Sequence, residues 1–125
     1  MRGPLSLLVT DYIERVVNRR DTDAIEDLVS AEYNGSGPDW PTTISELRQF
    51  YRQQAQDRPD WHIEIRETLE LGDSVIVLAR AGGHVMVDGV PEQRRLDWLA
   101  HYRLHDGLIA EINLLTYLPV PDRSR

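Results

Sequence analysis

From Leu5 to Asn18 the apolar residues Leu5, Leu8, Val9, Tyr12, Ile13, Val16 and Val17 recur at helical spacing, with Asp11, Glu14, Arg15, Arg19 and Arg20 on the other side. This pattern predicts an amphipathic helix of about four turns. Asp21 or Asp23 can cap a second, short helix whose buried stripe is Ala24, Ile25, Leu28 and Val29, ending at Ser30 and Ala31. In Glu32–Pro41, three residues suit a strand and the rest are turn formers, which predicts an irregular loop. Thr43 and Glu46 have capping-box spacing, and Ile44, Leu47, Phe50, Tyr51 and Gln54 carry a third helix to about Asp57, where Arg58-Pro59 closes it.

Beyond Pro59 the period changes from helical to alternating. Strands are predicted over Trp61–Leu69, Ser74–Ala81 with an extension to Val87, Arg95–Leu104 and Leu108–Tyr117. Gly72-Asp73, Asp88-Gly89 and Asp106-Gly107 stand between them as hairpin turns. Three helices followed by an antiparallel meander is an α+β pattern, with the helices on one face of a mostly antiparallel sheet. No repeat, low-complexity tract or linker divides the chain, so one domain over residues 1–125 is expected.

Alternation sorts the strand residues into two faces. One face collects Trp61, Ile63, Ile65, Val75, Val77, Ala79, Ala81, Leu96, Trp98, Ala100, Tyr102, Leu104, Ala110, Ile112, Leu114 and Thr116, and must meet the helices. The opposite face holds Ile76, Leu78, Leu99, Ile109, Leu115 and Tyr117 among charged neighbours. That face is too apolar for open solvent, and Ile76, Leu78, Leu99, Leu115 and Tyr117 predict a homodimer through the sheet.

Composition narrows the chemistry. The chain has 125 residues, 41% of them hydrophobic, enough for a core that buries about two-thirds of the unfolded surface. With 21 acidic against 14 basic residues its formal charge is −7, which opposes binding to nucleic acid or an anionic membrane. It has no cysteine, so disulfides, thiolate metal sites and cysteine nucleophiles are excluded. Every basic residue is arginine, which removes Schiff-base lysines and the phosphate-loop lysine as well. The N-terminal apolar run stops at Thr10-Asp11, short of a signal peptide, and no stretch approaches the roughly 18 apolar residues of a membrane span, so a cytoplasmic protein is expected.

Several segments in order resemble a known family: Asn18-Arg19-Arg20-Asp21-Thr22-Asp23-Ala24-Ile25, Tyr33, Pro59-Asp60-Trp61, Leu71-Gly72-Asp73-Ser74-Val75, and Tyr102–Glu111 with its His105-Asp106-Gly107 turn. Together they are similar to the SnoaL-like branch of the NTF2-like superfamily, whose fold is a cone of curved sheet around a long helix. The resemblance implies a fold and leaves the reaction open, since that superfamily includes polyketide cyclases, isomerases, epoxide hydrolases, dehydratases and members that only bind or assemble. The acid and base positions of its enzymes fall here on Gly37, flanked by Ser36 and Pro38, and on Ala100. The tyrosine of the isomerase type falls on Ile13 beside Tyr12, and Ile112–Tyr117 lacks the aspartate of the cyclases. The usual acid–base set is largely missing.

The remaining catalytic candidates are Tyr12, His84, Asp97 and Asp39. Asp97 alternates outward with Arg80 and Arg103 and reads as an ion pair or a dimer contact, unless a bulge near Arg94-Arg95 turns it inward. Asp39 and Trp40 lie in the loop at the mouth of the cone, as a base, a lid or plain turn chemistry. His84 follows Gly82-Gly83, where a bulge could aim its imidazole inward as a proton shuttle; otherwise it is a surface or interface histidine. The histidines show no metal-ligand spacing, and neither a metal nor a cofactor is expected. Tyr12, Trp40, Phe50, Tyr51, Trp61, Trp98, Tyr102 and Thr116, with small alanines between them, either fill the core or line a pocket for a flat hydrophobic ligand such as a polyketide, steroid or terpenoid. Two readings follow: a protein that binds or converts such a metabolite without a cofactor, by cyclisation, isomerisation or dehydration, or a noncatalytic dimerisation or ligand-binding module whose cone is filled.

Overall fold

The computed structural model describes residues 3–119. Helix α1 spans Pro4–Tyr12, with proline in its first turn where no N–H is needed. The Ser6 N–H, one of the donors that a helix start leaves free, is taken up by the Glu70 carboxylate at 3.0 Å. The helix continues as a π-helical turn over Ile13–Asn18, so the single predicted helix has two geometries. Asn18 then fastens this end to the sheet: its Oδ1 accepts from Ile63 N at 2.7 Å and its Nδ2 donates to Ile63 O at 3.0 Å.

After a 3₁₀ turn at Thr22–Ala24 and the one-turn helix α2 (Ile25–Leu28), strand β1 runs Val29–Ser36. Val29, Ser30 and Ala31 thus belong to a strand, where the apolar spacing had suggested the end of a helix. Helix α3 (Ile44–Asp57) begins at the anticipated capping box, in which Thr43 Oγ1 accepts from Glu46 N and the Glu46 carboxylate accepts from Thr43 N. Strands β2 (His62–Leu71), β3 (Ser74–Val87), β4 (Val90–His105) and β5 (Leu108–Pro119) follow. They form one sheet in the order β1-β5-β4-β3-β2, antiparallel except for β1, which pairs parallel to β5. The hairpin turns are tight, with Asp88 and Gly89, and again Asp106 and Gly107, all at positive φ.

The core lies between α1 with its π turn and the inner sheet face. Val9, Tyr12, Ile13, Val16 and Val17 meet Val75, Val77, Ala79, Ala81, Ala100 and Tyr102 there. Three helices on a five-stranded mixed sheet make the α+β cone.

Strict alternation fails in β5 because the strand carries two extra residues. Arg103 pairs with Glu111 and Leu104 with Ile109, so Ala110 is bulged and Ile109 turns into the core, fully buried. Leu99 pairs with Thr116 and Ala100 with Leu114, so Leu115 is bulged and the phase reverses again. Tyr117 consequently shares a face with Trp98, and Thr116 shares one with Leu99. Both assignments correct the sequence reading, which put Thr116 inside and Tyr117 in the outer patch. Through Gly82-Gly83 and Arg94-Arg95 the β3–β4 ladder is uninterrupted, with Gly82 opposite Arg95 and His84 opposite Gln93.

Candidate functional site

A cavity of about 270 Å³ opens between the inner sheet face, the π turn, α3 and the loop that follows β1. The fold brings Trp40, Phe50, Tyr51, Trp61, Trp98 and Tyr102 together around it, with Ile13, Ala81, Ala100, Ile112 and Leu114 between the rings. All three tryptophans of the chain line it. Tyr12 is fully buried behind this wall and Thr116 lies outside it, whereas Tyr117, brought round by the Leu115 bulge, stands at the rim.

Local chemistry fixes the walls. At the mouth, the Trp40 indole N–H donates to Tyr33 Oη at 2.9 Å and the Tyr33 hydroxyl donates to Pro41 O at 3.1 Å. The Trp40 ring lies 5.1 Å from Phe50, and Phe50 stands edge-on to Tyr51 at 5.2 Å. On the far side Arg20, at positive φ, donates to the carbonyls of Asn18 and Trp61, at 2.7 and 3.0 Å, so the end of the π turn holds Trp61 in place. Arg58 lays its guanidinium over the Trp61 ring, 4.8 Å from the centroid.

Within the wall, the Tyr12 hydroxyl donates to Tyr51 Oη at 3.1 Å. Burial raises the pKa of both groups, with the neighbouring tyrosines adding to the effect at Tyr12, so they are neutral hydroxyls at physiological pH. Burial raises Tyr102 in the same way. Among the described residues no side chain or carbonyl partners the Tyr102 hydroxyl. Tyr102 is itself buried and lines the cavity, so its neutral hydroxyl belongs to the wall of that space. It is available there as a hydrogen-bond donor.

Charge is confined to the entrance. Among the lining residues only Asp39 and Arg58 are charged, and Gln54 lies with them. Asp39 sits at positive φ in the turn before Trp40, exposed at the mouth. Ile13, expected at the tyrosine position, and Ala100, expected at the second-acid position, face the cavity with hydrocarbon, as does Pro38. At Gly37 a Cβ would come within 2.3 Å of the Leu114 carbonyl oxygen, so the backbone leaves no room for a side chain there.

Asp97 faces outward, opposite Arg80, in a two-point ion pair of 2.8 and 3.1 Å that holds its carboxyl below the usual range. His84 is exposed and is not among the lining residues; Asp60 accepts from its backbone N–H at 2.8 Å and meets its Nδ1 at 2.6 Å. Neither faces the cavity, because the straight β3–β4 ladder supplies no inward bulge. Sequence reasoning missed Arg58, Gln54 and Tyr117. The first two follow α3 onto the cavity side, at spacings of one and two turns from Tyr51, and the third depended on an unseen bulge.

Among the described residues there is no group of three or more histidine, aspartate or glutamate side chains placed to hold a metal ion, and no helix long and apolar enough to cross a membrane.

The order of elements, the helix-lined concave sheet and the cavity at its open end define the NTF2-like, or cystatin-like, α+β cone. The chain belongs to the SnoaL-like domain family, whose model matches residues 9–112. Solved structures agree on the fold. A candidate SnoaL-like polyketide cyclase from Jannaschia sp. CCS1 superposes with a TM-score of 0.76 at 17% identity, over 95% of this chain and 90% of that one. IdmH from Streptomyces antibioticus, a candidate polyketide cyclase, gives 0.76 at 17% identity over 94% and 92%. An uncharacterised cystatin-fold protein from Novosphingobium aromaticivorans gives 0.78 at 16% identity over 93% and 100%. A search of curated proteins gave no match.

Proposed function

We propose that the cavity binds a small, flat, largely apolar metabolite of polyketide, steroid or terpenoid type and rearranges it by cyclisation, isomerisation or dehydration. The observation that carries this reading is a cavity lined by seven aromatic side chains, among them Tyr102, whose hydroxyl has no side-chain or carbonyl partner among the described residues. Stacked rings favour a planar hydrocarbon body. A neutral hydroxyl favours an acceptor such as a ketone oxygen, and donates most strongly to that oxygen as negative charge develops on it. Asp39 is the one carboxylate at the entrance, within the lining, and serves as the proton acceptor for a carbon acid presented there. Ile13, in place of a tyrosine, and Ala100, in place of an acid, keep the interior dry, which strengthens both interactions. The test is thermal unfolding against a panel of flat hydrophobic metabolites, followed by mass spectrometry of the compounds that raise the midpoint. Turnover is expected as a product of unchanged mass or one lacking a single water. No rise with any compound favours an assembly module instead.

We also propose a homodimer through the outer sheet face. Leu78 and Leu115 are exposed there, and Ile76 and Leu99 are half-buried beside them. Solution mass checks it: a dimer is expected for the native chain, and a monomer for Leu78→Asp combined with Leu99→Asp.

A further inference from the structure

Among the residues lining the cavity Arg58 is the only cation. Arg58 is half-buried, and its guanidinium rests on the Trp61 ring with no carboxylate within ion-pair distance among the described residues. Arg20, Arg52, Arg66 and Arg95 likewise have no acid within ion-pair distance among the described residues, but none of these four lines the cavity, so Arg58 alone brings an unpaired positive charge to it. The backbone holds it in place: Arg58 N donates to Gln54 O at 2.8 Å at the end of α3, and Trp61 N donates to Arg58 O at 3.0 Å. Stacking on the indole pre-orients the planar fork, so little side-chain freedom remains to be lost on binding.

We propose that the ligand is a monoanionic acid, with its flat body in the aromatic well and its carboxylate on Arg58 at the entrance. The inference rests on the binding reading above and adds the charge of the ligand. An apolar rim would suffice for a neutral hydrocarbon ligand, whereas an unpaired guanidinium beside an apolar wall favours a carboxylate in two-point contact, at reduced dielectric. With Arg58 engaged, the remainder of the ligand lies toward Trp98 and Tyr102, which line the same cavity.

The test uses 2-naphthoic acid and methyl 2-naphthoate as probes, titrated into the full chain and into Arg58→Gln and Arg58→Lys. The acid is expected to bind the native chain about ten- to a hundredfold tighter than its ester. Arg58→Gln should abolish that preference, so that acid and ester bind alike while both still bind, and Arg58→Lys should retain part of it. Acid affinity, but not ester affinity, should fall as salt rises. Equal binding of acid and ester in the native chain, or a preference that survives Arg58→Gln, overturns the charge inference and leaves the apolar-ligand reading standing. Binding of neither probe overturns both.

Discussion

Tyr117 stands directly opposite Trp98 across the β4–β5 ladder, on the cavity side of the sheet, because Leu115 is one residue too many for the register. A single bulge therefore exchanges the roles of two neighbours, putting an aromatic ring at the cavity rim and a threonine on the outer face. Tyr117→Ala is expected to weaken binding of a flat ligand severalfold while changing stability by no more than about 1 kcal/mol, since the side chain is partly exposed. Thr116→Ala should change neither. Paired binding and denaturation curves check both.

The tyrosine pair behind the wall makes the opposite prediction. Tyr12→Phe removes the donor to Tyr51 Oη in a fully buried site and should cost about 1–2 kcal/mol by chemical denaturation. Tyr12, Tyr51 and Tyr102 have folded pKa values above the unfolded value near 10. Their contribution to stability is complete below about pH 10 and is lost as pH rises beyond it, because the unfolded chain then releases protons that the folded one retains. Ultraviolet titration should show these tyrosinates forming only with unfolding.

On the acid side the ion pairs matter. Asp97 is held by the Arg80 hydrogen bonds and Glu111 by those of Arg103, and both carboxyls are depressed. Their stabilisation is present above the unfolded pKa near 4 and fades as pH falls through the lower folded values. Both pairs are solvent-accessible, so the loss is small. Asp97→Asn should leave ligand binding unchanged and Asp39→Asn should slow turnover; the reverse would put the chemistry on the outer face.

These contrasts show what the residues disclosed. The capping box at Thr43 and Glu46, the stop at Arg58-Pro59 and the Asp-Gly turns each rest on one local interaction that only certain residues satisfy, so the third helix and the hairpins were legible. The bulges at Arg66, Ala110 and Leu115 use ordinary strand residues and are fixed by partners distant in sequence. Alternation counted past them gives the wrong face. The same holds for Val29, whose apolar spacing continues the α2 stripe and whose strand state comes from parallel pairing near Ile109. The aromatic lining was legible because Phe50, Tyr51, Trp61, Trp98 and Tyr102 lie where the period is unbroken, and Trp40 stands in the loop at the mouth. Arg58 was hidden because it looked like a helix terminator.

Gly37 links the fold to the missing acid. It sits at φ 121°, and an added Cβ would lie 2.3 Å from the Leu114 carbonyl oxygen. Gly37→Ala is expected to cost about 1–3 kcal/mol through backbone strain and displacement of β5. Gly37→Asp should be no better tolerated and should not restore acid–base activity. A variant as stable as the native chain would show that the loop can give way.

Because Trp40, Trp61 and Trp98 all line the cavity, intrinsic tryptophan fluorescence reports on that site alone. Titrating the native chain with 2-naphthoic acid and methyl 2-naphthoate should give a saturable change in fluorescence, reduced in Tyr117→Ala, with a matching rise in the unfolding midpoint. No saturable change with either probe, and no shift in the midpoint, would contradict the claim that this cavity is a binding site.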